Sequence, residues 1–122
     1  MNDQETTVAQ LKALLARFVA EREWEPYHTP KNLAMSLAIE AAELMEHFQW
    51  IDIKNSCEVI REPARREAIA DEMADCLSYI LALANAADID LAAALQAKMK
   101  KNEQKYPVDL VRGRYERPPR DA

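Results

Sequence analysis

The chain has 122 residues, of which 49% are hydrophobic and one is glycine, and a formal net charge of −5. This length predicts one domain with a real core, and the abundance of Ala, Leu, Glu and Lys predicts a mostly helical protein. The negative charge argues against general binding to nucleic acid or to an anionic membrane, because both require a basic surface.

Hydrophobic periodicity predicts a first helix over residues 5–23, with Thr6 or Thr7 as its N-cap. The prolines within residues 24–30 end this pattern, because proline stops a helix and extends the residue before it. A second helix is predicted over residues 31–50. It is apolar on most sides, which predicts that it is buried.

A polar connector with a short helical turn is predicted over residues 52–61. The third helix is predicted over residues 63–87, since proline is favoured in the first helical turn. Asp90 is predicted to cap a fourth helix over residues 91–104. We expect one domain over residues 1–106 and an irregular tail, rich in proline and arginine, over residues 107–122.

The start of the chain is acidic and polar, unlike a signal peptide, and no apolar run reaches membrane-spanning length. Cys57 and Cys76 form neither a metal motif nor a disulfide framework. Isolated thiols suit a reducing compartment, so we predict a cytoplasmic protein in which Cys76 is a core residue.

Two acidic pairs interrupt the apolar helices: Glu40 with Glu43, and Glu72 with Asp75. The i, i+3 spacing places both members of a pair on one helix face. A buried carboxylate is costly unless something neutralises its charge. If the two helices pack antiparallel, all four carboxylates come within reach of one another, and we predict that they bind a metal ion. The alternative is a solvated acidic helix face.

Oxygen-only ligands suit hard cations, so the sequence favours Mg²⁺ or Mn²⁺ over zinc. A di-iron bundle would need Glu-x-x-His motifs on two helices, and here Glu46 stands three residues after Glu43. Protein-bound Mg²⁺ commonly bridges carboxylates to substrate phosphates. Lys98, Asn102 and Lys105 share one face of the fourth helix and are candidates for a phosphate clamp, with an ordinary solvated basic face as the alternative.

These residues resemble the MazG-like, all-α nucleoside triphosphate pyrophosphohydrolases, which carry E-x-x-E, a spacer and E-x-x-D. The spacer here has 28 residues (44–71), toward the long end for that family. The resemblance is closer to the dCTP pyrophosphatase branch and covers about residues 14–107. It rests on Phe-Val-Ala-Glu-Arg-Glu-Trp (18–24), His-Thr-Pro-Lys-Asn-Leu (28–33), Glu-Leu-Met-Glu-His-Phe-Gln-Trp (43–50), Asp-Cys-Leu-Ser-Tyr (75–79), Lys-Met (98–99), Asn102 and Lys-Tyr-Pro (105–107).

The resemblance implies an all-α four-helix bundle that cuts a nucleoside triphosphate between its α and β phosphates, with dCTP as the first expected substrate. It implies that Glu40, Glu43, Glu72 and Asp75 bind Mg²⁺, with Glu43 polarising the attacking water. Without the resemblance, Trp24 and Trp50 would be read as packing residues. The substrate-binding residues that it implies are Trp24, His28, Trp50, Tyr79, Lys98, Asn102, Lys105 and Tyr106.

One departure concerns base selectivity: Leu15 stands where that branch often has a histidine. A dUTPase-like specificity and a broad action on noncanonical nucleotides therefore stay open. So does a non-catalytic helical interaction module with a structural ion. Apolar residues on many helix faces, together with the pattern of the resembling family, favour a homo-oligomer, a homotetramer ahead of a dimer, with its sites close to subunit interfaces.

Overall fold

The computed structural model describes residues 1–116, and every regular element in that range is helical, which confirms the all-α class. The chain divides into two compact units, Met1–Asp88 and the part that begins at Ile89. This boundary falls inside the segment predicted as one domain. The first unit contains α1 (Val8–Glu21), a 3-10 turn (Glu25–Tyr27), α2 (Pro30–Glu46), α3 (Ile53–Val59) and α4 (Pro63–Ala87), and the second contains α5 (Leu91–Lys105) and α6 (Val108–Val111).

The helices begin at residues that satisfy their free backbone N–H groups. Thr7 and Gln10 form a capping box at α1, in which the Gln10 backbone N–H donates to the Thr7 hydroxyl at 3.1 Å. Thr29, Asp52 and Asp90 accept from the third residue of α2, α3 and α5 in the same way. Proline opens α2 and α4, where a missing N–H costs nothing.

The end of α1 is a Schellman motif that leads directly into the 3-10 turn. The Trp24 N–H donates to the Val19 carbonyl at 3.1 Å, and the Glu23 N–H donates to the Ala20 carbonyl at 3.0 Å. Glu23 has φ of 52°, the left-handed conformation that this motif requires and that glycine adopts most readily. The motif fixes the direction in which the chain leaves the helix, and thereby places Trp24.

In the first unit, α4 packs against both α2 and α1. The buried core is aliphatic and small, and Leu33, 2% exposed, is its most deeply buried large side chain. The other core residues are Val19, Val59, Ile69, Leu81, Ala82 and Ala84.

The second helix departs from its prediction in length and in burial. It ends at Glu46, and residues 47–50 form turns, because the N–H groups of His47 and Phe48 bond to carbonyls three residues back and tighten the chain. Trp50 therefore lies outside the helix. Leu33 is the buried residue of α2, so the burial predicted for this helix is not reached within one chain.

Three smaller differences complete the fold. The connector contains a full helix, α3, and the predicted irregular tail contains the short α6, while residues 117–122 lie outside the described range. Cys76 is half-buried rather than a core residue, and Cys57 is exposed. Among residues 1–116, no single helix is long and apolar enough to span a membrane. Only α4 and α5 taken together, with the break between them, reach the length and apolar composition of a membrane span.

Candidate metal centre and adjoining cavities

Three carboxylates meet where α2 packs on α4. Glu40 and Glu43 come from α2 and Glu72 from α4, and each offers an oxygen within 4.8 Å of the others. Oxygens at this separation can share one divalent cation, because the bond from such a cation to a carboxylate oxygen is about half as long as this separation. The structure thus brings together three of the four acidic residues that the spacing singled out.

Two oxygens of this cluster lack the partners that buried polar atoms normally have. Oε2 of Glu40 and Oε2 of Glu72 are shielded from solvent and accept no hydrogen bond. Buried polar atoms are rarely left in this state, because the loss of hydration is then uncompensated. A cation held between α2 and α4 would supply the missing interaction, so the donor set and its geometry fit a hard metal ion.

The electrostatics of the cluster also indicate crowded negative charge. The pKa of Glu40 is raised from 4.5 to about 7. A hydrogen bond from its protonated form to Glu43 is the largest cause, followed by burial and by a hydrogen bond to Glu72. The negative charges of Glu43 and Asp75 add to the effect. Without a cation, one proton takes the place of positive charge in this cluster.

Asp75 lies at the edge of the cluster. It is exposed and outside the set of oxygens within 4.8 Å, yet its charge acts on Glu40. It stands one helical turn from Glu72 on α4, and a carboxylate at that spacing shares the face of its neighbour. Its role as a fourth ligand stays a prediction.

A cavity of about 360 Å³ lies beside the cluster and contains three of the predicted substrate-binding residues, Trp24, His28 and Tyr79. Ser36 and Tyr79 meet there, while Glu40 and Glu43 meet Glu72 at the cluster. Later positions on α2 therefore lie beside earlier positions on α4, which means that the two helices run antiparallel. Ser36 is one helical turn from Glu40, and Tyr79 is one turn from Asp75, so the cavity adjoins the carboxylates.

A ladder of side-chain contacts leads to this cavity, and its last two members, Trp24 and His28, line the cavity. The Arg22 guanidinium carbon lies 3.7 Å from the centre of the Phe18 ring, and Phe18 meets Trp24 edge-on with centroids 5.9 Å apart. Trp24 in turn stacks on His28, with ring centroids 6.4 Å apart and planes 24° from parallel. The Nδ1 atom of His28 is buried and has no hydrogen-bond partner.

A second, larger cavity of about 480 Å³ lies between α1 and the C-terminal part of α4. His28 lines both cavities, so the two cavities adjoin at its side chain. The walls of the larger one are mainly aliphatic, with Leu15, Val19 and Ala82 among them, and its polar members are His28, Glu25 and Asn85. Leu15, the departure from the resembling branch, is thus a wall residue of this cavity.

The remaining predicted residues are Trp50, in the first unit, and four residues of the second unit, and none of them belongs to the carboxylate cluster. Trp50 is 89% exposed and takes part in none of the ring contacts found among residues 1–116. The other four belong to the second unit, where Lys105 Nζ lies 5.5 Å from the Tyr106 ring centre and the Asn102 amide donates to the Met99 sulfur at 3.9 Å. The part that Lys98, Asn102, Lys105 and Tyr106 play in the site stays a prediction.

Sequence reasoning missed several cavity residues. Ser36 carries a visible signal, because it precedes Glu40 by one turn on the same helix face. Asn32 lies within one of the quoted motifs, and its amide donates to the Tyr27 carbonyl at 3.0 Å. Glu25 and Asn85 carry no signal, because only the three-dimensional packing of α1 on α4 brings them to one cavity.

The chain belongs to the MazG-like family, whose sequence model matches residues 35–115. That range contains both acidic pairs, all of α4 and the part of α2 from Met35 onward, so the match covers the helix segments that build the carboxylate cluster. The family resemblance read from the sequence is confirmed.

Particular relatives narrow the comparison. The chain is similar to dCTP pyrophosphatase 1 of Rattus norvegicus, with 41% identity over 109 residues, or 89% of the chain and 64% of the rat protein. Human dCTP pyrophosphatase 1 is 39% identical over 108 residues, or 88% of the chain and 64% of the human protein. The chain thus spans just under two thirds of these curated relatives. A crystal structure of a pyrophosphatase from Archaeoglobus fulgidus is also similar, with 41% identity, a TM-score of 0.78 and coverage of 88% of this chain and 98% of that one.

Proposed function

We propose that the protein is a Mg²⁺-dependent nucleoside triphosphate pyrophosphohydrolase that converts dCTP, or a modified dCTP, into dCMP and pyrophosphate and so cleans the nucleotide pool. One observation carries the proposal: buried, unpartnered oxygens of Glu40 and Glu72 at metal-ligand spacing across α2 and α4. The relatives are dCTP pyrophosphatases, which supports dCTP as the substrate.

The proposed ligands are Glu40, Glu43, Glu72 and Asp75, with Mn²⁺ as the alternative ion. A bound Mg²⁺ would orient the triphosphate and offset charge on the α-phosphoryl oxygens and on the departing pyrophosphate. The chain's own contribution is to hold carboxylates on two rigid helices, so that little reorganisation is needed when the substrate arrives.

In the proposed reaction a water oxygen bonds to the α-phosphorus while the bond from that phosphorus to the α,β-bridging oxygen breaks. Glu43 accepts the water proton, and dCMP and pyrophosphate are the two products. Glu43 is proposed for this role because it is one of the three clustered carboxylates and would lie beside the bound ion and its water.

The nucleoside part of the substrate is proposed to lie in the 360 Å³ cavity, where Trp24 offers a ring face and His28 a polar edge. Tyr79 lines the same cavity one turn from Asp75 and would position the sugar or the α-phosphate. Trp50 is proposed to cover the base from its exposed position. From the second unit, Lys98 and Lys105 are proposed to hold the distal phosphates, with Asn102 and Tyr106 beside them.

The test is pyrophosphate release from a panel of nucleoside and deoxynucleoside triphosphates with Mg²⁺. Release from dCTP well above the rest of the panel supports the proposal. Preference for dUTP would indicate a dUTPase-like enzyme, and even activity across noncanonical nucleotides would indicate broad house-cleaning. Silence across the panel would instead favour a non-catalytic helical module that binds a structural ion.

We further propose a homotetramer of four-helix MazG-like bundles, with a dimer as the alternative. Large apolar side chains on both central helices support it, since Met35, Ile39 and Met73 are each more than half exposed in the single chain. Such faces are expected to be covered by other copies of the chain. A cytoplasmic location, and no binding to nucleic acid or membrane, stay expectations from composition.

A further inference from the structure

The 480 Å³ cavity between α1 and α4 has no part in the function proposed above. Its volume falls in the range of small-molecule sites, and it combines aliphatic walls with a few polar groups, the usual composition of such sites. His28 connects it to the smaller cavity, which adjoins the carboxylates. On α4, Asp75 and Asn85 are separated by about 15 Å of helix, a distance on the scale of a nucleoside with its first phosphate.

The orientation of the Asn85 side-chain amide is fixed by a long-range contact. Its Nδ2 donates to the backbone carbonyl of Lys12 at 2.9 Å, which ties α4 to α1. A carbonyl oxygen only accepts hydrogen bonds, so the nitrogen of the amide must face Lys12 and the oxygen must face away. Asn85 lines the cavity, and Oδ1 is the amide atom that this contact leaves available to accept from a ligand.

A second obligate acceptor lines the same cavity. The ionised Glu25 carboxylate has oxygens that only accept. Two acceptors in a mainly aliphatic cavity, whose third polar residue is His28, match a ligand edge that donates two N–H bonds. They oppose a ligand that places a carbonyl oxygen there, because that oxygen would face acceptors instead of donors.

We propose that the pyrimidine base of the bound nucleotide extends from the smaller cavity past His28, so that its amino edge enters this cavity. Asn85 Oδ1 then selects cytosine over uracil by accepting from the exocyclic amino group, with Glu25 as the second acceptor. The inference rests on the proposed function, which supplies the pyrimidine nucleotide.

The test is equilibrium binding of dCMP and dUMP, measured by calorimetry, which requires no turnover. Two variants distinguish the role of the amide oxygen, an acceptor, from that of the amide nitrogen, a donor. Asn85→Leu removes the acceptor and the Lys12 contact together, whereas Asn85→Asp keeps an acceptor and removes only the donor. Asn55→Leu, an exposed asparagine on α3, is the matched control.

We expect the wild type and Asn55→Leu to prefer dCMP, Asn85→Leu to lose about ten-fold of that preference, the factor of one hydrogen bond, and Asn85→Asp to retain it. An unchanged preference in Asn85→Leu, or an equal loss in both Asn85 variants, would overturn the inference. An equal loss in both variants would mean that Asn85 only holds α4 against α1. Failure of the proposed function looks different: the wild type would release no pyrophosphate from dCTP, whatever its preference between the monophosphates.

Discussion

At the scale of single residues, the protonation state of Glu40 couples metal binding to pH. Its pKa of about 7, raised chiefly by the hydrogen bond to Glu43, means that folding takes up a proton between pH 4.5 and 7. The metal-free protein is stabilised by this proton below that window and loses the contribution as the pH rises through it.

We therefore predict that the free energy of unfolding of the metal-free protein falls between pH 5 and 8, as followed by urea denaturation. Added Mg²⁺ should restore stability at pH 8 and have little effect at pH 5, because binding requires the ionised carboxylate. Glu40→Gln should abolish both trends. Glu46→Gln, on the same helix but exposed, should keep them, and a loss there too would contradict the assignment.

Trp50 gives a second prediction at this scale. Since its side chain is 89% exposed, Trp50→Ala should change the free energy of unfolding by less than about 0.5 kcal/mol. If it covers the base as proposed, the variant should raise the KM for dCTP and leave the Mg²⁺ dependence of the rate unchanged. Equal weakening of metal and nucleotide binding would indicate a packing role instead.

At the scale of elements, the turn after α1 is where local backbone chemistry positions the site. Glu23 adopts φ of 52° in the Schellman motif, and the side chain of the next residue, Trp24, packs against Phe18. This contact between the residue after the turn and the last turn of the helix is typical of the motif. It starts the ladder that ends at His28.

Glu23→Gly should stabilise the protein by roughly 0.5 kcal/mol, because glycine adopts the left-handed conformation without steric cost, although it also gains freedom when unfolded. Glu23→Ala, which loses the same carboxylate but keeps the steric cost, is the control. Urea denaturation of both variants measures the difference. A glycine variant less stable than the alanine variant would refute the strain at this turn.

Much of this architecture follows from local sequence patterns. The caps at Thr7 and Asp90 and the proline that opens α4 mark helix ends that the structure reproduces within a few residues. The start of α2 at Pro30 is predicted to within one residue. The end of α2 could not be placed, because residues 47–50 keep apolar periodicity while their hydrogen bonds tighten into turns. Periodicity reports which face a residue occupies and not how the backbone is bonded.

Part of the candidate site could also be predicted from the sequence, and part could not. The acidic pairs were recognisable because charge in an apolar helix demands compensation. The cavity residues Glu25 and Asn85 were not, because a single polar residue near a helix end is ordinary until packing brings α1 and α4 together. Chemistry that depends on spacing within a helix is readable from sequence, whereas chemistry that depends on contacts between helices is not.

At the scale of the whole molecule, exposed apolar surface is the dominant feature of the single chain. Met35 on α2 and Leu77 on α4 are exposed, while the buried core is small. A chain with this balance is expected to gain stability by burying its helix faces against other copies.

We predict four chain masses by light scattering after size-exclusion chromatography, and a smaller assembly for Met35→Glu, because a charge on an apolar interface is costly to bury. Gln49→Glu adds the same charge on a polar, exposed residue and should leave the mass unchanged. A monomeric wild type would contradict the proposed assembly without bearing on the metal site.

The central claim is that the carboxylates joining α2 to α4 form a metal site that supports hydrolysis of dCTP. Its most direct test is the rate of pyrophosphate release from dCTP against Mg²⁺ concentration, for the wild type and for Glu43→Gln. We predict Mg²⁺-dependent release by the wild type and release at background by Glu43→Gln, whose metal-free fold is kept or is more stable because a repelling charge is gone. Near-normal turnover by Glu43→Gln, or release by the wild type that is independent of divalent metal, would contradict the claim.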